Sequence, residues 1–410
     1  RQYGDAASRI REQLAHELEV IERAQLSNYF LIVWDIVRFA RGKGIRCQGR
    51  GSAANSLVAY LLYISPVDPI AQNLVFERFL SDERRVTPDI DIDFDAQRRE
   101  EVIQYIYERY GVEHAAMACT FVTFRARSAI RDIGKALGLA PHVVATAVHA
   151  VEHGDSAVLR DAGDGATLEL LLELGREIEG FPRHLGIHSG GMVITGAPLM
   201  GRVPTEPATM ADRVVVQWDK EGLEDVGLVK LDVLGLRMLS AISDAAGLIE
   251  EAEGIASDLE GLTFDDPAVY QMIGAADTIG VFQVESRAQA QVLPRLRPTC
   301  FEDLIVSISL IRPGPVQGDM VHPYLRRRQG IEPVAYLHPS LEAALKETLG
   351  VILFQEQVLK VARDLAGFTP GQGEQLRRAL GSKQATEAIE RFRAEFLAGA
   401  VSNGVAAEVA

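Results

Sequence analysis

The segment PDIDIDF at residues 88–94 combines carboxylates and apolar residues in strict alternation. On a strand, Asp89, Asp91 and Asp93 point to one side while Ile90, Ile92 and Phe94 point to the other. Carboxylates two residues apart on one pleat stand ~7 Å from each other and repel. A pair of divalent cations held by oxygen ligands would neutralise them. The competing reading is an exposed edge strand that uses acids against aggregation; the intervening β-branched and aromatic residues fit a buried strand better. A second strand, GLVKLDVL at residues 227–234, places Lys230 and Asp232 on one face and Val229, Leu231 and Val233 on the other. There Asp232 would complete a metal site and Lys230 would meet a phosphate, unless the two form a simple ion pair at a strand end. A third segment, GRGS at residues 49–52, precedes a helical run. Amides at a helix start, approachable because of glycine and strengthened by Arg50, attract an anion, although Gly-Ser is also a plain cap.

The elements that must position these groups are readable from hydrophobic spacing. Ile10, Leu14, Leu18 and Ile21 mark one face of a first helix, and residues 29–40 form a second that Gly42 and Gly44 stop. Residues 53–63 read as helical, and Asp68-Pro69 opens a helix to about Leu80. A strand is expected over 86–94. A helix over 97–110 then carries Val102, Ile103, Ile106 and Tyr110 on one face, with Gly111 as its stop. Residues 117–124 are rich in β-formers. A mostly helical region over 125–180, ending in Phe181-Pro182, leads to strands at 192–195, 213–218 and 228–233. After Gly235 the chain reads as mainly helical.

Composition limits the function classes. The chain has 410 residues, 47% hydrophobic and 24% charged, which describes a core-forming soluble protein of about two to four domains and excludes disorder as its main state. Its 3 cysteines cannot build a disulfide framework, which points to a reducing cytoplasm, and its apolar runs are too short for a membrane span. His149/His153 and His184/His188 are each four apart but lack a third ligand for zinc. The start at Arg1 and the stop at Ala410 within helical sequence suggest a piece of something longer. Net charge −15 opposes nucleic-acid binding only on average. Residues 36–67 hold Arg38, Arg41, Lys43, Arg46 and Arg50 without one acid, residues 238–286 hold 10 acids and no Lys or Arg, and positive charge returns with Arg287, Arg295, Arg326–Arg328, Arg377 and Arg378. Local fields decide what a cleft attracts.

A Gly-Ser turn, an Asp-x-Asp strand and a distant third acid together make the minimal pattern of palm-type nucleotidyltransferases. Such enzymes activate a 3′-hydroxyl and hold a triphosphate with two Mg²⁺ ions. The wording is more specific still. CQGRGSAANS (47–56), FERFL (76–80), PDIDIDF (88–94) and GLVKLDVLGL (227–236) resemble the palm of bacterial C-family DNA polymerases, the α subunit of DNA polymerase III. GVFQVESR (280–287), RPGP (312–315) and GVILFQEQ (350–357) resemble its fingers, and ESRAQ, LPRL and GDMVHPYLRRR are closer to its error-prone, damage-inducible branch.

The resemblance implies an α+β fold: a palm over 1–119 and 199–236, an inserted helical thumb over 120–198, and truncated fingers over 237–410. It implies template-directed addition of deoxynucleoside monophosphates to a primer 3′ end, with Asp89, Asp91 and Asp232 as catalytic metal ligands for two Mg²⁺, replaceable by Mn²⁺, and Asp93 as a supporting acid. Gly51, Ser52, Arg78 and Lys230 would contact the dNTP triphosphate, as would the fingers pair Arg377 and Arg378. Implied partners are primer–template DNA, dNTPs and, through regions outside this chain, a sliding clamp and translesion accessory proteins, with no membrane. By the resemblance, the family's N-terminal phosphoesterase-like domain is expected to be absent, since no His-x-His occurs, and its clamp-binding and tail regions would lie beyond Ala410; with the fingers cut short as well, the fragment is not expected to be active by itself. Two rivals are a replicative α subunit and, from another class, a non-catalytic DNA-binding or assembly module with vestigial acids.

Overall fold

The structure is a computed structural model that describes residues 7–80, 88–153, 165–210, 212–254, 259, 261–311, 318–381 and 386–410. The RPGP segment and the first two residues of the expected acidic strand lie outside this set. The protein mixes helices and strands and divides into two compact units, residues 1–99 with 235–410 and residues 100–234.

The first unit opens with α1 (Ala7–Arg23) and α2 (Ser27–Gly42), followed by strand β1 (Cys47–Arg50), short helix α3 (Leu57–Leu61) and strand β2 (Asp91–Asp95). In α1, Ile10 and Ile21 are buried as their spacing requires, but Leu18 is 49% exposed and Glu17 and Val20 are buried instead. The cause is polar. The Glu17 carboxylate accepts hydrogen bonds from Ser56 Oγ (2.9 Å) and from the backbone N–H groups of Leu57 (3.0 Å) and Val58 (3.1 Å). Those amides open α3 and would otherwise lack an acceptor.

The helix expected over 53–63 is two pieces, a 3₁₀ turn at Gly51–Asn55 and then α3, capped by Ser56 Oγ, which accepts from Ala59 N–H. The helix expected from Asp68 does not form. Asp68 Oδ1 does accept from the Ile70 and Ala71 N–H groups as an N-cap would. Asn73 then enters the left-handed region at φ 48°, and only a 3₁₀ turn at Phe76–Arg78 follows. Phe76 and Phe79 are nonetheless fully buried, so the core tolerated an irregular backbone in exchange for two aromatic anchors.

The acidic strand forms over Asp91–Asp95, later and shorter than the expected 86–94, with residues 88–90 outside it. β2 runs antiparallel to β1 with Gln48 opposite Asp93 and Arg50 opposite Asp91. Ile90, Ile92 and Phe94 have no exposed surface. Ile90 N–H donates to the Tyr29 hydroxyl of α2 (2.9 Å), which ties the entry of the strand to the helix beside it. Strand β1 was not foreseen, because CQGR carries no hydrophobic alternation.

Helix α4 (Arg99–Tyr110) leads into the second unit, where Val102, Ile103, Ile106 and Tyr107 are buried. There follow β3 (Ala115–Thr123), helices α5 (Ala126–Ala136), α6 (Pro141–His153) and α7 (Gly165–Ile178), strands β4 (Pro182–Ile194), β5 (Thr205–Pro207) and β6 (Val214–Val216), helix α8 (Lys220–Asp225) and β7 (Lys230–Leu236). In this unit the strand order is β7-β4-β3-β6-β5; β4 is antiparallel to β3 and to β7, β6 is parallel to β3, and β5 is antiparallel to β6. Ala116, Ala118, Val193, Val216, Leu223 and Leu228 make its core. Helices α5–α7, between β3 and β4 in sequence, have their own core of Ile130, Ala147, Val148, Leu168 and Leu171. Gly134 and Gly175 let those helices approach closely: a Cβ at 134 would lie 2.7 Å from Val144 Cγ2, and one at 175 would lie 2.8 Å from Ile130 Cδ1. β4 starts ten residues before the expected strand, at the Phe181-Pro182 break, because its first half is exposed and lacks an apolar face.

The chain then returns to the first unit and is helical, as expected: α9 (Arg237–Glu253), α10 (Pro267–Gly274), α11 (Arg287–Leu296), α12 (Phe301–Leu310), α13 (Gly318–Arg328), α14 (Glu342–Leu345), α15 (Gln355–Ala366), α16 (Pro370–Gly381) and α17 (Thr386–Ser402). α11–α13 close on Leu296, Leu310, Tyr324 and Leu353, while α14–α17 close on Leu345, Leu365, Phe368 and Phe392. α16 packs on the Phe76–Arg78 turn. Among the described residues no helix is long and apolar enough to cross a membrane.

Candidate active site

In the first unit, β2 holds the carboxylates. Asp89 precedes the strand, Asp91 opens it, and both are partly exposed; Asp93 and Asp95 are buried. Arg50 Nε lies 3.4 Å from Asp93 Oδ1. Burial raises the Asp93 pKa and Arg50 opposes that rise. Asp95, which the sequence reading passed over, has a local task. Its Oδ1 accepts from Ser240 Oγ of α9 (2.6 Å) and from Gln97 N–H (3.0 Å). Burial opposes its ionisation, but these bonds outweigh it and hold the carboxyl below its ordinary value.

Two glycines shape the turn beside β2 for different reasons. A Cβ at Gly49 would lie 2.6 Å from the Ile64 carbonyl oxygen, which accepts the Gly49 N–H, so this position has no room. Gly51 has φ +68°, which favours glycine, and a Cβ there would lie 3.7 Å from Asp91 Oδ2. The backbone at Gly51 thus approaches the Asp91 carboxylate directly. Ser52 follows in the 3₁₀ turn, and its carbonyl accepts from Asn55 Nδ2 (3.1 Å). Asn55 Oδ1 is buried with no hydrogen-bond partner.

In the second unit, β7 carries Lys230 and Asp232. Lys230 is buried, and its ammonium lies 2.6 Å from Asp232 Oδ2. The other oxygen, Asp232 Oδ1, is buried without a hydrogen bond and is 3.9 Å from His188 Nδ1. That ring nitrogen accepts from the Gly190 (3.1 Å) and Gly191 (2.5 Å) N–H groups, so its lone pair is directed at the backbone. Gly191 faces Asp232 across the strands, and a Cβ on it would come within 2.8 Å of His188 Nδ1 and 3.0 Å of Lys230 Cδ. The signal for this arrangement was the run His188-Ser189-Gly190-Gly191, which the search for zinc spacing considered only as a histidine pair. Of the other pair, His149 and His153 stack on each other at 4.2 Å.

The remaining expected phosphate contacts meet in the first unit. Arg78 is ion-paired to Glu356 of α15. Arg377 and Arg378 of α16 are both held by Glu374, which is 3% exposed. Neither acid was singled out from sequence; GEQLRR places Glu374 beside Arg377 and Arg378, whereas Glu356 is 278 residues from Arg78. Among the described residues, no group of three or more His, Cys, Asp or Glu side chains forms a ready metal cage. The acids are instead matched by cations of the chain, Asp93 by Arg50 and Asp232 by Lys230.

Residues 1–235 match the family model described as the bacterial DNA polymerase III alpha NTPase domain, and residues 238–404 match the bacterial DNA polymerase III alpha subunit finger domain. The chain belongs to the bacterial DNA polymerase III alpha family. In this family's terms the acidic strand, the GRGS turn and β7 fall in the first segment, and Glu356, Glu374, Arg377 and Arg378 fall in the finger segment. Curated relatives include proteins named error-prone DNA polymerase from Anaeromyxobacter sp. (strain K), 48% identical over 98% of this chain and 37% of the relative, and from Mycobacterium bovis, 51% identical over 96% and 36%. Another, from Methylococcus capsulatus, is 49% identical over 97% of this chain and 39% of the relative. The chain thus spans little more than a third of the length of the relatives it matches.

Proposed function

We propose that this chain is the palm, thumb and part of the fingers of a template-directed DNA polymerase that works in the cytoplasm and bypasses damage, adding deoxynucleoside monophosphates to a primer 3′ end. The damage-bypass branch is favoured over the replicative one because the relatives at about half identity are named error-prone polymerases. In this reading the palm comprises residues 1–119 and 199–236, the thumb 120–198 and the fingers 237–410.

One observation carries the chemical part: the backbone of a positive-φ glycine, Gly51, faces the Asp91 carboxylate on a strand whose opposite face is fully buried. Partly exposed acids at the start of a strand whose other face is buried suit nucleotidyl transfer, since metal ligands must not shift as charge develops. Asp89, Asp91 and Asp232 would hold two Mg²⁺, for which hard carboxylate oxygens are the fitting donors. The unpartnered Asp232 Oδ1 supports its role as a ligand. When bound, such ions lower the pKa of a 3′-hydroxyl and neutralise a triphosphate. Lys230 offsets the charge of Asp232 and, with Gly51, Ser52, Arg78, Arg377 and Arg378, would bind the phosphates. Primer–template DNA and dNTPs are the proposed substrates, and a clamp and translesion factors would bind elsewhere in the full-length protein.

The test is primer extension by the full-length protein on intact and lesion-bearing templates. Asp89→Ala is expected to keep the wild-type circular dichroism and melting curve and to lose extension. Extension at the wild-type rate by that variant would remove the basis of the assignment.

A further inference from the structure

We infer that Glu374 is a positioning residue for triphosphate recognition: its carboxylate locks Arg377 as an anchor so that Arg378 presents its two terminal nitrogens to the incoming nucleotide. The inference rests on the polymerase reading above, in which this pair meets the triphosphate, and it divides the labour between the two arginines.

Two adjacent guanidinium groups on one helix repel each other, and each ends a long flexible side chain. An acid one turn earlier is within reach of both, at i+3 and i+4. Glu374 takes that place. Arg377 donates from Nε to Glu374 Oε2 (2.7 Å) and from a terminal nitrogen to Oε1 (2.8 Å), a bidentate pair. Its other terminal nitrogen donates to Gln355 Oε1 of α15 (3.3 Å). All three nitrogens of Arg377 are therefore committed within the protein. Arg378 gives only Nε to Glu374 Oε1 (2.9 Å), and 42% of its side chain is exposed.

A carboxylate buried this deeply persists as an anion only when paired. Burial opposes its ionisation, yet the bonds from Arg377 and Arg378 outweigh burial and keep the carboxyl below its ordinary value. Gln355, which takes Arg377, is adjacent to Glu356, which takes Arg78, and both border a cleft of about 690 Å³. That volume is in the range that holds a nucleotide-sized ligand. One buried acid thus fixes Arg377 against Gln355 at the edge of that cleft and holds Arg378 beside it on α16.

The experiment uses the full-length protein and steady-state single-nucleotide incorporation. Glu374→Gln keeps the shape and removes the charge; KM for dNTP is expected to rise about 10–100-fold, with kcat within about 3-fold of wild type. The constant for inhibition by inorganic tripolyphosphate should weaken by the same factor, while affinity for primer–template is unchanged. Glu374→Asp, which keeps the charge, should recover part of the loss. Arg378→Gln should raise KM at least as much, and the double variant Glu374→Gln/Arg378→Gln should add nothing to Arg378→Gln alone, because one residue acts through the other. A wild-type KM in Glu374→Gln, or multiplicative effects in the double variant, overturns the inference. If Glu374→Gln fails to fold, Arg377→Gln replaces it in the same comparison, and multiplicative effects with Arg378→Gln overturn it equally. A wild-type KM alongside an inactive Asp89→Ala sinks this inference alone, whereas an active Asp89→Ala sinks the polymerase reading beneath it.

Discussion

Replacing Glu17 by alanine tests how a buried acid on the first helix supports the segment that follows the GRGS turn. The carboxylate accepts from Gln13 Nε2, Ser56 Oγ and the Leu57 and Val58 amides, and the residue is 1% exposed. Removing it leaves two buried backbone donors unmet, at about 1–3 kcal/mol each, offset in part by relief of the carboxylate's own desolvation. The expected net loss is about 2–4 kcal/mol, read as a shift in the urea midpoint followed by circular dichroism. The pH dependence has a definite sign. Burial raises the Glu17 pKa above its ordinary 4.5, against hydrogen bonds from Gln13, Leu57, Val58 and Ser56. The folded state therefore holds this proton more tightly than the unfolded chain, so the advantage of wild type over Glu17→Ala is fullest below about 4.5 and narrows as pH rises through the folded value. A Glu17→Ala protein within about 0.5 kcal/mol of wild type at every pH, or a gap that widens with pH, would refute the reasoning.

The glycine positions give further tests. Gly49→Ala puts a methyl group against the Ile64 carbonyl, where a Cβ would lie 2.6 Å from its oxygen, and should cost about 2–4 kcal/mol by thermal or urea unfolding. Gly134→Ala meets the β-branched Val144, which cannot swing away, and should cost about 1–3 kcal/mol. Gly247→Ala carries the opposite sign: it is an exposed interior position of α9 with nothing within 4 Å of the added carbon, and about 0.5–1 kcal/mol of stabilisation is expected. Chelating divalent cations should abolish primer extension by the full-length protein, and Mg²⁺ or Mn²⁺ should restore it; extension that persists in excess chelator would contradict the proposed role of the acids.

What the sequence disclosed followed the strength of its local patterns. PDIDIDF alternates without exception, and its three apolar residues are the fully buried ones. Lys230 and Asp232 share a face as their spacing requires and lie in contact. Hidden features depended on partners distant in the chain. Nothing local in α1 announces that Glu17, and not Leu18, faces the core, because the reason lies in amides forty residues later. Asp68-Pro69 has a true cap chemistry, yet the helix it promises yields to the burial of Phe76 and Phe79. The first half of β4 was invisible because an exposed strand leaves no hydrophobic trace. In the candidate site, the cations were legible as cations; Glu356, which holds Arg78, was not, since a pair 278 residues apart has no sequence period, whereas Glu374 lies at the local i+3 and i+4 spacing from Arg377 and Arg378 and was passed over.

The first unit is discontinuous: it is made of residues 1–99 and residues 235–410. Asp95 is bound by Ser240, Arg78 by Glu356, and Gly235 packs against Ala96 and Arg99, so the points where the chain leaves and re-enters this unit touch. During synthesis, residues 1–99 are made before residues 235–410 that complete their unit, with residues 100–234 translated in between. The strand that carries the acids can pair with β1 and Tyr29 as soon as it is made, whereas its last carboxylate meets Ser240 only after the second unit has been translated.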